Sequence, residues 1–181
     1  MWRRTRKMEE NDRHEDLQAM LLKAEEALLL GQTDQAVASL ISLREQTKKG
    51  MLWSTATQQL ALVEYERGNR DKAYALLLEA KNDLSDEPAC VLHELAFDAK
   101  NFPLVAELSS RAFQVSQEGS VALRSATAFA QIGKVKPAVG WLHAAVEHGV
   151  SSIQDIVRQE FFDPVRNDPL FQKFLSKEIG K

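Results

Sequence analysis

A turn followed by an alanine recurs four times along this chain, and a period of that kind restricts the fold more than any local propensity does. The segments are Leu30-Gly31-Gln32-Thr33-Asp34-Gln35-Ala36, Arg67-Gly68-Asn69-Arg70-Asp71-Lys72-Ala73, Lys100-Asn101-Phe102-Pro103-Leu104-Val105-Ala106 and Ile132-Gly133-Lys134-Val135-Lys136-Pro137-Ala138. Their alanines lie 37, 33 and 32 residues apart, a mean of 34. Each segment ends one helical stretch and starts another. Gly31, Gly68 and Gly133 fall where a helix ends in the left-handed conformation, and Asn101 is the next-best residue for that place. Asp34 and Asp71 suit the positive end of the following helix dipole. Pro103 and Pro137 fall in or near a first helical turn, where proline is tolerated. The alanines let the two helices of a hairpin approach closely. Apolar residues then follow at helical spacing, as in Ala36, Leu40 and Leu43 or Ala138, Leu142 and Ala145.

Composition narrows the class further. Glycine and proline number 13 in 181 residues, about 7 per cent, too few for the loops of a β-sandwich. The single cysteine, Cys90, excludes a disulfide scaffold and a cysteine-based zinc site. No apolar run approaches the ~18 residues of a membrane span, and no secretory signal is visible, so a cytoplasmic protein is expected. Charge is unevenly placed. Arg3, Arg4, Arg6 and Lys7 put +4 at the start, which leaves 19 basic against 26 acidic side chains, or −7, over residues 8–181. An acidic body repels a phosphate backbone, so nucleic acid is not an expected partner. The basic tip leaves a membrane surface open as a partner, or a place beside a membrane assembly.

In period, turn and alanine the chain resembles the tetratricopeptide repeat family over residues 17–149. The aromatic usual early in the family's first helices is replaced by Met20, Thr57, Cys90 and Ala122, and the leucine-glycine pair of that helix is degenerate. The resemblance implies an all-α fold: a right-handed superhelix of about four helix hairpins, at 17–50, 54–87, 87–118 and 119–149, with C-terminal capping helices over 150–181. Residues 1–16 are expected to be a flexible tail or the start of the first helix.

Beyond residue 149 the period stops. Ser151 suits the cap of a short helix, and the steps Asp163-Pro164 and Asp168-Pro169 each read as a helix start. Four of the eight phenylalanines, Phe161, Phe162, Phe171 and Phe174, fall here, as a plug over the last hairpin requires. The same four leave a homodimer open, should they prove unburied.

Groups for chemistry are sparse. His143 and His148 are five apart and do not share a helix face, His93-Glu94 lacks the second histidine of a zinc-protease helix, and no phosphate loop, nucleophile elbow or dinucleotide fingerprint occurs. No catalytic residue, metal site or cofactor is expected, so binding remains. The resemblance places a partner groove on the first helices: Leu21 and Leu28 in the first unit, with Glu25 and Leu29 beside them; Gln58, Leu62 and Tyr65 in the second, with Glu66; Val91, Leu95 and Asp98 in the third; Leu123 and Thr127 in the fourth, with Arg124 adjacent. These places hold no lysine, and Arg124 is the one basic neighbour. A desolvated carboxylate would find no donor there, which argues against a carboxylate clamp. The expected function is a non-catalytic adaptor or scaffold that receives an apolar or amphipathic segment of another protein. A chaperone for secreted subunits is the alternative.

Overall fold

The computed structural model describes residues 2–151 and 153–179, with side chains described over 12–151 and 153–177. The fold is all-α, and no strand occurs among the described residues. The chain divides into two compact units, Met1–Pro88 and Ala89–Lys181. The first holds α1 (Trp2–Leu29), α2 (Thr33–Gln46), α3 (Met51–Glu66), α4 (Arg70–Glu79) and a 3₁₀ turn at Lys81–Asp83. The division falls in the first turn of α5 (Asp86–Asp98), and the second unit continues with α6 (Phe102–Ser116), α7 (Gly119–Gln131) and α8 (Val135–Glu147). It closes with α9 (Ile153–Ile156), a 3₁₀ segment at Glu160–Val165 and α10 (Pro169–Ile179). No helix among the described residues is long and apolar enough to cross a membrane. The side chains of Arg3, Arg4, Arg6 and Lys7, on which a membrane contact would depend, lie outside the described ones.

In the first unit, consecutive helices pack as antiparallel neighbours through Ala24 and Ala27 on α1, Ala36, Leu40 and Leu43 on α2, Leu60 and Ala61 on α3, and Ala73 and Leu77 on α4, all buried. The α3–α4 turn is further tied by Glu64, a buried carboxylate that accepts from Lys72 Nζ and Asn69 Nδ2, each at 2.7 Å. The Lys72 ammonium holds this carboxyl below its usual range against the opposing effect of burial.

The turn after each first helix closes with one pair of hydrogen bonds. Gln32, Asn69, Asn101 and Lys134 donate their amides to the carbonyls five residues back, and the residue before each donates to the carbonyl three back. This is the Schellman pattern, and it places the left-handed residue at Gly31 (φ 72°), Gly68 (φ 80°), Gly133 (φ 71°) and Lys100 (φ 56°). Asn101 is therefore not the left-handed residue of the third turn. It is the N-cap of α6, with φ −82°, and its side chain accepts from the Leu104 amide at 3.4 Å. The third repeat is displaced by one residue: the buried position is Val105, with Ala106 half-buried, and the spacings become 37, 32 and 33 residues. A side chain with a Cβ costs about 1–2 kcal/mol in this conformation. Lys100→Gly is expected to stabilise the protein by about 1 kcal/mol, since Lys100 is exposed and the turn is otherwise unchanged. A urea midpoint that stays put or falls would contradict this register.

The corrected register moves His93 to a crowded place. Counting seven residues back from each left-handed residue gives Ala24, Ala61, His93 and Ala126, all fully buried. In α5 a histidine thus occupies the site where other repeats have alanine. Its Nε2 lies 3.2 Å from Ser125 Oγ on α7, and that hydroxyl donates to the Val121 carbonyl at 2.8 Å. Ser125 must therefore accept from the ring, which sets the proton on Nε2 and leaves Nδ1 as an acceptor; no hydrogen-bond partner reaches Nδ1. Burial, reinforced by the Arg124 guanidinium and opposed by Glu94, depresses the imidazole to about 4.

The C-terminal segment forms a core with the last hairpin. Phe162, Val165, Phe171 and Phe174 are buried against Ala126 and Ala130 of α7 and Ala138 and Leu142 of α8. Only the second Asp-Pro step starts an α-helix: Asp168 Oδ1 accepts from the Leu170 amide at 2.8 Å, capping α10. Asp163-Pro164 instead lies inside the 3₁₀ segment. There Arg166 binds Asp163 and donates to the carbonyls of Val157, Arg158 and Gln159, which competes with helix initiation. The phenylalanines considered for a dimer are thus interior, apart from half-buried Phe161.

Candidate partner-binding cleft

In the first unit the last turns of α1 and the second half of α3 lie side by side. Glu25, Leu28 and Leu29 on α1 and Gln59, Leu62, Val63 and Glu66 on α3 recur at intervals of three and four, so each set shares one helix face. These residues, with Thr33 and Glu87, line a cleft of about 630 Å³. Its floor is apolar. Leu28 and Leu62 are half-buried, and Leu29 is 88% exposed, a large apolar side chain left in water.

The rim is acidic. Glu66 and Glu87 are exposed and carry no ion pair among the described residues, and no lysine or arginine lines the cleft. Glu25 accepts from Gln59 Nε2 at 2.6 Å. The other end of that amide, Gln59 Oε1, is buried with no hydrogen-bond donor.

The structure brings five of the residues expected at the groove, Glu25, Leu28, Leu29, Leu62 and Glu66, into this cleft and distributes the others. Leu21 is half-buried further back on α1 and does not line it. Tyr65 is half-buried with the Arg70 guanidinium 5.2 Å from its ring centre. Gln58 belongs to the interior: its Nε2 donates to Ser54 Oγ (2.9 Å) and the Asp83 carbonyl (3.0 Å), and its Oε1 accepts from the Ser85 amide and hydroxyl at 2.7 and 2.9 Å. It staples α3 to the segment after α4 and has no capacity left for a partner.

In the second unit Val91 is half-buried, Asp98 is exposed and Leu95 is buried. The one-residue displacement accounts for Leu95, which occupies the place that buried Val63 has in the second repeat. The same displacement gives Glu87 the place in the third repeat that Thr55 has in the second, counted back from Lys100 and Gly68. On α7, Thr127 is buried and Leu123 packs on the C-terminal phenylalanine core. Gln131 Nε2 donates to the Phe161 carbonyl at 2.7 Å. The chain's own C-terminal segment therefore covers this side of α7. Arg124 is half-buried, its Nε buried without an acceptor.

No metal-ligand cluster occurs among the described residues. The Cys90 thiol points at the Ala112 carbonyl at 3.7 Å, His143 packs edge-on to Phe174 at 4.8 Å, and His148 Nδ1 donates to the Gln117 carbonyl at 2.7 Å.

No protein-family model and no curated protein matches the chain. Among solved structures it is similar to one titled MamA AMB-1, with 18% identity, 79% of each chain covered and a TM-score of 0.55. MamA is a tetratricopeptide-like protein, and at this identity the likeness establishes the fold: all-α and tetratricopeptide-like.

Proposed function

We propose that the protein is a non-catalytic adaptor and that the α1–α3 cleft of its first unit docks a segment of a protein partner. The observation that carries this reading is the exposed leucine floor. A monomeric protein gains nothing by keeping Leu29 almost fully hydrated beside Leu28 and Leu62, whereas a docked apolar segment removes all three from water. The tetratricopeptide-like fold supports it, because hairpin stacks present helix faces to extended or helical peptides.

A photo-crosslinking amino acid placed at Leu29 is expected to give covalent protein adducts in the source cell, while the same group at exposed Gln35 on α2 gives none. Burying one leucine on docking contributes about 1.5 kcal/mol. Leu28→Ser with Leu62→Ser should therefore weaken capture about 100-fold. Undiminished adducts from the doubly changed protein, folded by circular dichroism, would refute the docking site.

A further inference from the structure

We infer that the occupant of the α1–α3 cleft is a cationic amphipathic segment, one with lysine or arginine flanking its apolar anchors. The inference rests on the docking reading above and specifies its chemistry. The cleft floor is leucine, and every ionisable side chain lining it is acidic: Glu25, Glu66 and Glu87. Glu66 and Glu87 have no cation among the described residues, so both stand at the cleft without a countercharge. A neutral segment would desolvate these carboxylates without a partner, and an acidic one would add like charge; both cost free energy. A lysine or arginine beside a leucine anchor instead meets Glu66 or Glu87 with a charge-assisted hydrogen bond.

Gln59 gives its amide nitrogen to Glu25 at 2.6 Å, which holds the Glu25 carboxylate at the cleft, while its own Oε1 is buried away from any occupant. The leucines therefore provide attraction, while the three glutamates select the sign of the partner's charge.

Panning a displayed library of random 16-residue peptides on the full chain, with counter-selection on Leu28→Ser/Leu62→Ser, tests this. The expected result is enrichment of peptides that pair leucine, isoleucine or phenylalanine with lysine or arginine. A synthetic copy of the best of them should bind at least 10-fold more weakly to Glu66→Lys/Glu87→Lys, and its affinity should fall with salt. Glu66→Gln/Glu87→Gln, which adds no positive charge, should give a smaller loss in the same direction. Enriched peptides that are neutral or acidic, or affinity unchanged by charge reversal, would overturn the inference and leave the docking reading intact. No enrichment over the leucine variant would overturn both. So would a concentration-dependent dimer abolished by Glu66→Lys/Glu87→Lys with no peptide selected, since the occupant would then be a second copy of the chain.

Discussion

Acidification from pH 6.5 to 4 is expected to remove about 3 kcal/mol from the stability of the second unit through His93 alone. The unfolded chain titrates this imidazole near 6.5, while the folded one, buried and facing Arg124, holds it near 4. Above pH 6.5 both states are neutral and the residue contributes no pH dependence. Below it the unfolded chain takes up a proton that the folded chain refuses, and stability falls by about 1.4 kcal/mol for each pH unit until the folded ring titrates too. The geometry explains the refusal. Nε2–H is already given to Ser125 Oγ, and a second proton would land on Nδ1, where no acceptor waits. His93→Gln keeps a donor at the Nε2 position and removes the titration. Urea denaturation read from Trp141 in a Trp2→Phe/Trp53→Phe background gives the comparison: the gap between parent and His93→Gln should widen steadily from pH 6.5 to 4. Parallel curves over that range would show that His93 is solvated or already paired in the folded protein.

His93 also shows where a repeat pattern stops being informative. Aligning the four turns on glycine and alanine finds the hairpins, because a left-handed turn and a close helix approach each restrict the residue types allowed. At the third turn neither restriction is met by the preferred residue. Lys100 takes the left-handed conformation at a cost that the rest of the unit sustains, and Val105 takes the buried place. The neighbouring Asn101 and Ala106 mimic the pattern one residue later, so local chemistry favours a register that packing rejects. That slip carried Leu95 into the expected groove and kept Glu87 out of it.

The cleft itself was half legible. Glu25, Leu28, Leu29, Leu62 and Glu66 follow from the resemblance, but Gln59 and Glu87 do not. Gln58 and Gln59 are adjacent glutamines with equal propensities, yet one is consumed by Ser54, Asp83 and Ser85 and the other lines the cleft with its amide given to Glu25. Only the path of the chain after α4 separates them. Likewise, nothing in the spacing of Leu123 and Thr127 says that the C-terminal segment will lie over α7. The phenylalanine-rich composition predicts a plug, and the plug's seat is decided by where Arg166 gathers the carbonyls of Val157, Arg158 and Gln159.

That plug carries the second large effect. Phe171 is fully buried, with Phe162 stacked at 5.8 Å between ring centres and Phe174 at 6.4 Å, and the trio packs on the alanines of α7 and α8. Those alanines have no side chain long enough to refill a vacated ring site. Phe171→Ala is therefore expected to cost about 3–5 kcal/mol, the range for a large aromatic removed from an interior that relaxes poorly. Against a typical total of about 5–15 kcal/mol this leaves the last helix marginal. Leu170→Ala, one residue earlier and 41% exposed, should cost about 0.5 kcal/mol or less. Urea titration of the two variants gives the magnitudes. Limited proteolysis gives the location, with early cleavage expected between residues 158 and 170 in Phe171→Ala only. Equal stabilities for the pair would mean that α10 rests on the hairpin without forming a core with it. In that case the side of α7 under the C-terminal segment would be open to solvent whenever α10 lifts away.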